Sequence, residues 1–238
     1  MIRRRSLIRQ SAATAAILAS AAFVPRDARA TALDLHLVLA VDSSSSVTMD
    51  EYYLQLEGYA HAFADPELWS TIATGPARAI AVALFEWSGP GQQALNFPWR
   101  ILDSAERVAA FAQELALAPR LVIGGETAIG DALLFALDLL RAAPGHATRQ
   151  VVDVSGDGSS NRGHPPEQGR DALLAHGATI NGLAVLDQDP DLETHYAASV
   201  IGGPGHFLLA ASDYTDFQGA IRRKLLREIR PLVASNQR

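Results

Sequence analysis

The chain has 238 residues, a formal net charge of −6, 48% hydrophobic and 19% charged residues, and no cysteine. That length suits one ordinary domain with a short appendage, and that composition supplies a core without any signature of disorder. The negative charge argues against a general nucleic-acid surface, and the missing thiols exclude disulfides, thiolate metal sites and cysteine nucleophiles.

The first segment, "MIRRRSLIRQ", is basic, and the run that follows, "SAATAAILASAAFV", is weakly apolar and short for a bilayer span. Ala28 to Ala30, "ARA", is a small-x-small cleavage site, so residues 1–30 read as a secretory signal and residues 31–238 as the domain proper. Arg4 and Arg5 before Ser6, Leu7 and Ile8 resemble a twin-arginine export signal. Cleavage after Ala30 removes six arginines and one aspartate, which takes the net charge from −6 to −11. No later run is long and apolar enough to cross a membrane. The expected product is a soluble monomer, periplasmic or secreted.

From there strands and helices alternate. "LHLVLAV" (35–41) is an apolar run of strand length. "MDEYYLQLEGYAHAF" (49–63) has helical spacing, with Tyr52, Leu56, Tyr59 and Phe63 on one stripe. "AIAVALFEW" (79–87), the turn "SGPG" (88–91) and "QQALNFPW" (92–99) predict a hairpin whose second strand is antiparallel and, with Pro98, at an edge. Helices follow over 104–117, with a weak cap at Ser104, and over 127–143. Then come strand 149–155, helix 166–177, strand 179–186, a short helix near 190–200, and the apolar stretch 205–211. The last helix starts near Ser212 and carries Tyr214, Phe217, Ile221 and Leu225 as its buried stripe. This order predicts an α/β three-layer sandwich around a mostly parallel six-stranded sheet with one antiparallel edge strand. In such sheets ligands bind at the carboxyl ends of the strands, where connections diverge.

Asp42 ends the first strand, and "DSSSS" continues it. Alternate residues of an extended segment face one way, so Asp42, Ser44 and Ser46 converge while Ser43 and Ser45 point elsewhere and should be replaceable. One carboxylate with two hydroxyls is an all-oxygen set suited to a hard cation such as Mg²⁺. Thr127, after a glycine turn, and Asp157, in "GDG" after the fourth strand, add oxygens if the first and fourth strands are neighbours. Taken singly, each has a plainer use: Ser46 or Thr48 as a cap for the helix near Met49, Thr127 as a helix cap, Asp157 as a turn residue.

D-x-S-x-S after the first strand, a glycine-preceded threonine and an aspartate in a "GDG" turn resemble the metal-ion-dependent adhesion site of the von Willebrand factor type A domain. The order of elements along residues 31–238 resembles that family too, with its Rossmann-like fold, and the chain is similar to its compact, secreted bacterial members. The resemblance implies that Ser44 and Ser46 bind the cation directly. It implies that Asp42, Thr127 and Asp157 bind it directly or through water, and that an acidic side chain of a protein partner fills an open position. The cation implied is Mg²⁺, with Mn²⁺ or Ca²⁺ as alternatives.

Glu126 reads as a solvated rim residue, Trp87 as hairpin packing, and His164 as an exposed loop histidine. No G-x-S-x-G elbow, Walker loop or G-x-G-x-x-G turn is present, and a two-metal hydrolase needs more carboxylates. The expected function is therefore a metal-dependent protein-binding module and not an enzyme. A small metal-dependent hydrolase of the cell envelope is the alternative.

Overall fold

The computed structural model describes residues 32–230; the expected signal, residues 1–30, lies outside them. Strands β2 (Leu35–Asp42) and β3 (Ile80–Trp87) are buried at every residue, as strands covered on both faces must be. With β4 (Gln93–Leu102), β6 (Gln150–Gly156), β7 (Thr179–Val185) and β8 (Leu208–Ala211) they form a six-stranded sheet in the order β4-β3-β2-β6-β7-β8. Every pairing is parallel except β3 with β4, the expected edge hairpin. A separate two-stranded parallel pair joins β1 (Ala32–Leu33) to β5 (His146–Ala147).

Period-two alternation divides each strand between two cores. Leu35, Leu37, Leu39 and Val41 of β2 pack with helices α1 (Met49–Ala64), α3 (Ala105–Ala116) and α7 (Tyr214–Ile229). Val38 and Ala40 pack on the other face with α4 (Ile129–Arg141) and α5 (Pro166–Ala175). The stripes expected on α1 and α7 are all buried. Thr48 caps α1 in a full capping box: its hydroxyl accepts from Glu51 N at 3.3 Å and its own N–H donates to Glu51 Oε2 at 2.8 Å.

Several boundaries differ from expectation. A short helix α2 (Pro66–Ile72) follows α1, started by the Asp65 side chain and by Pro66 in the first turn. β4 runs past Pro98 to Leu102, with irregular register opposite Val82 to Phe85. The helix expected over 127–143 begins only at Ile129, so Thr127 is not its cap. The stretch near 190–200 divides into α6 (Leu192–His195) and a π-helical turn, Tyr196–Val200. Of 205–211, only Leu208–Ala211 joins the sheet.

α7 is fixed to β6 by buried charge. Lys224 Nζ lies 2.6 Å from Asp153 Oδ1 and 2.8 Å from Glu228 Oε1. Asn181 on β7 donates to the same Glu228 oxygen at 2.9 Å. The contact with Asp153 is a pairing of charges without hydrogen-bond angles, and both Asp153 oxygens lack a hydrogen-bond partner. Burial, reinforced by the charge of Glu228, pushes the Asp153 carboxyl up to about 8 despite the opposing ammonium.

β2 lies between β3 and β6, so the connections leaving β2 and β6 diverge at the carboxyl end of the sheet. The register pairs Val41 with Ser155, which sets Asp42 beside the end of β6.

Candidate functional site

Asp42 is wholly buried at the end of β2. Its Oδ1 accepts from Ser44 N at 2.8 Å, which turns the chain back over the strand end. Ser44 Oγ and Ser46 Oγ lie 3.1 Å apart, and Ser46 Oγ donates to Asp157 Oδ1 at 2.6 Å. A carboxylate, two hydroxyls and a second carboxylate thus form one continuous polar chain. Asp42 Oδ2 and Asp157 Oδ2 are both buried without a hydrogen-bond partner. Burial and the nearby Asp157 push the Asp42 carboxyl up to about 7, and burial also raises Asp157.

Thr127 stands at the same end of the sheet, locked to the loop that follows Asp157. Its N–H donates to Asn161 Oδ1 at 3.0 Å, and its carbonyl accepts from Asn161 N at 2.9 Å. A Cβ added at Gly158 would meet only the Thr127 hydroxyl, at 3.8 Å, so that hydroxyl faces the Asp157 turn. Gly156 is needed for a related reason. A Cβ there would stand 2.7 Å from Asp42 Oδ2 and 2.8 Å from the Tyr196 hydroxyl, inside the polar crevice.

Two tyrosines complete the surroundings and were not foreseen as site residues. The Tyr196 hydroxyl lies beside Asp42, and the Tyr214 hydroxyl faces Asp157 without hydrogen-bond geometry. Tyr214 was legible only as a core residue of the α7 stripe. Its position on the sequence carries no sign of the carboxylate it meets.

The serine run divides differently from expectation. Ser45 is exposed, as alternation implies, but Ser43 is buried in a network of its own. Ser43 Oγ donates to Val122 O and accepts from Arg120 Nε, both at 2.7 Å. Arg120 also donates to the carbonyls of Ser43, Ser44, Val47 and Val122. The expectation that Ser43 is replaceable is therefore corrected. Its side chain turns away from Asp42, yet it fastens the loop that borders the cluster. Ser43→Ala should lower stability by about 1–2 kcal/mol, and Ser45→Ala by less than about 0.5 kcal/mol, in urea denaturation.

The same loop is held from below by Glu86 of β3, which is fully buried. Its carboxylate accepts from Tyr52 Oη at 2.6 Å, from Asn96 Nδ2, and from the N–H groups of Leu121 and Val122 at 2.9 and 2.7 Å. Trp87 is buried in the core on the α4 side, in keeping with a packing role. Glu126 pairs with Arg162 at 3.3 Å on the rim, and His164 with Asp131 at 3.1 Å, outside the polar chain.

Solved structures share this architecture. Proximal thread matrix protein 1 (PTMP1) from the mussel byssus aligns with a TM-score of 0.60 and 18% identity, over 82% of this chain and 47% of its own. It has also been solved with a zinc-occupied MIDAS motif (TM-score 0.57, 16% identity, 82% and 47% covered). A von Willebrand factor type A protein from Catenulispora acidiphila aligns with a TM-score of 0.57 and 15% identity, over 83% of this chain and 43% of its own. The pilus adhesin SpaC from Lactobacillus rhamnosus GG gives 0.55 and 11%, over 83% and 30%. This chain spans less than half the length of these proteins. The fold is that of the von Willebrand factor type A domain. Within it, the chain belongs to the family described as "Protein of unknown function (DUF1194)", which matches residues 32–233. No curated protein matches the chain.

Proposed function

We propose that the chain is an exported protein-binding module that holds one hard divalent cation, Mg²⁺ or alternatively Mn²⁺ or Ca²⁺, with Asp42, Ser44, Ser46, Thr127 and Asp157. The observation that carries this reading is the pair of buried carboxylates, Asp42 and Asp157, each with one oxygen left without a partner. Burial raises the proton affinity of both, and the nearby Asp157 raises that of Asp42 further; a cation between them would remove that penalty. The donor set fits the group: oxygen only, with two carboxylates to balance charge and hydroxyls to complete a small, near-octahedral shell. The zinc-occupied motif in the mussel protein supports the reading by analogy of fold.

In that reading Ser44 and Ser46 hold the cation directly through their hydroxyls. Asp42, Thr127 and Asp157 hold it directly or through water. An acidic side chain of a protein partner takes the remaining position, because a partly compensated hard cation still attracts an anionic oxygen. The adhesin among the structures of like fold supports a binding role of this kind. Export rests on the basic, apolar and small-x-small pattern of residues 1–30.

Calorimetric titration with MgCl2 tests the site. The protein should bind Mg²⁺ and melt at a higher temperature in its presence, because a ligand of the folded state alone stabilises by mass action. Asp42→Ala should lose both effects. Binding that survives the substitution would refute the assignment.

A further inference from the structure

The amino end of the sheet, opposite the carboxylate and hydroxyl cluster, holds a cavity of about 460 Å³. Its walls are the first residues of β6 and β7, the turn ahead of β8 with Pro204, Gly205 and Phe207, and the last turn of α7. That volume lies in the range that takes a small organic molecule.

Two arginines line it. Arg149, just before β6, is half-buried, and Arg227, on α7, is exposed. Most arginines among the described residues pair with a carboxylate, and these two do not. Arg149 donates through Nη1 to Glu228 O at 2.8 Å and through Nη2 to Ile229 O at 3.1 Å, at the end of α7. Those bonds fix its position and leave its charge without a counter-ion in contact. Burial accordingly holds its pKa below the usual arginine value, with Asp34 and Glu228 opposing from a distance. The Arg227 guanidinium lies over the Phe207 ring, 3.8 Å from its centroid. Stacking of this kind occupies the face of the group and leaves its N–H donors, which lie around the edge, open to an anion.

The neutral polar groups of the walls are already engaged. Thr148 Oγ1 donates to Asp34 O at 2.9 Å, and Thr179 Oγ1 to Pro204 O at 3.1 Å. The Asn181 amide donates to Glu228 Oε1 and accepts from Phe207 N. The donors left for a ligand are therefore guanidinium N–H groups, beside apolar surface from Val151 and Pro204. Glu228 also lines the cavity, with its carboxylate buried beside Lys224. A doubly charged anion would feel that negative charge twice as strongly as a singly charged one.

We propose that this cavity binds a small organic monocarboxylate. The carboxylate is taken by Arg227 and Arg149, since a planar guanidinium fork matches two carboxylate oxygens, and the hydrocarbon part lies against Val151 and Pro204. The site needs no cation and stands apart from the metal reading above.

The test is calorimetric titration of the purified protein with the sodium salts of straight, branched and aromatic monocarboxylic acids of about four to eight carbons. Benzamide and inorganic phosphate serve as controls. At least one carboxylate should bind with a Kd below about 1 mM. Arg227→Gln, a change at an exposed position that should leave the melting temperature unaltered, should weaken it about tenfold or more. Binding should be the same in EDTA and in Asp42→Ala. Absence of binding across the series, equal binding to Arg227→Gln, or binding of benzamide or phosphate as tightly as the acids would overturn the proposal. So would a carboxylate lost in EDTA or in Asp42→Ala, which would place it at the cation cluster instead.

Discussion

Lys224→Met should destabilise the fold by about 3–5 kcal/mol at neutral pH, the range for breaking a buried ion pair from one side. The substitution keeps most of the side-chain volume and removes the ammonium that pairs with both the Asp153 and the Glu228 carboxylates. Two carboxylates are then buried together without a cation, and water cannot reach them. The pH dependence distinguishes this cause from simple loss of packing. Folding raises the Asp153 pKa from about 3.8 to about 8, so the native state binds more protons than the unfolded chain across that window. Stability contributed by this proton is complete below the lower value and is lost as pH rises through the upper one. Without the ammonium the Asp153 carboxyl holds its proton more tightly still, so the loss in Lys224→Met should shrink between pH 8 and pH 5. Urea denaturation at several pH values measures this, and a loss independent of pH would reject the electrostatic account. Replacing Lys224, Asp153 and Glu228 together by Met, Leu and Leu should recover most of the lost stability, since a buried charged group is not in itself a strong stabiliser.

Glu86→Ala should cost about 3–5 kcal/mol, because it leaves the donors of Tyr52, Asn96, Leu121 and Val122 unmatched in a buried site. The effect should be largest in the loop. Once residues 119–126 are released, the bond after Arg120 becomes accessible, and trypsin should cut there under conditions that leave the parent chain intact. If the cluster holds Mg²⁺ as proposed, its affinity should fall as well, since Gly125 O accepts from Ser45 N within the serine turn. Unchanged trypsin resistance would show that Ser43 and Arg120 hold the loop without Glu86. Glu86→Gln, which keeps an acceptor, should lie between the two.

Much of this architecture can be read from the residues, because the strands are apolar on both faces and the helices carry clear stripes. Asp42, Ser44 and Ser46 come together, but through a turn closed by Val47 N donating to Ser44 O and not through the extended alternation expected, and Asp157 joins them once β2 and β6 are placed side by side. Other features depend on contacts that no local pattern encodes. Alternation gives the direction in which Ser43 points, but the carbonyl of Val122 and the guanidinium of Arg120 waiting there come from far along the chain. Glu86 looks like an ordinary strand-end acid until the loop folds over it. Tyr196 sits in a π-helical turn, where the extra residue disturbs the helical spacing that would have marked its direction. The helix α2 is a different case, since Asp65 followed by Pro66 is itself a local helix-start signal.

The Ser46 hydroxyl and the Asp157 carboxylate that it meets are 111 residues apart in sequence. No excised fragment carrying only one of them can assemble the cluster, and closing so long a loop comes late in any folding sequence that begins with local helices. The polar cluster therefore exists only once β2 and β6 lie side by side. A partner that requires it would recognise completed copies and pass over those whose central strands have not yet joined.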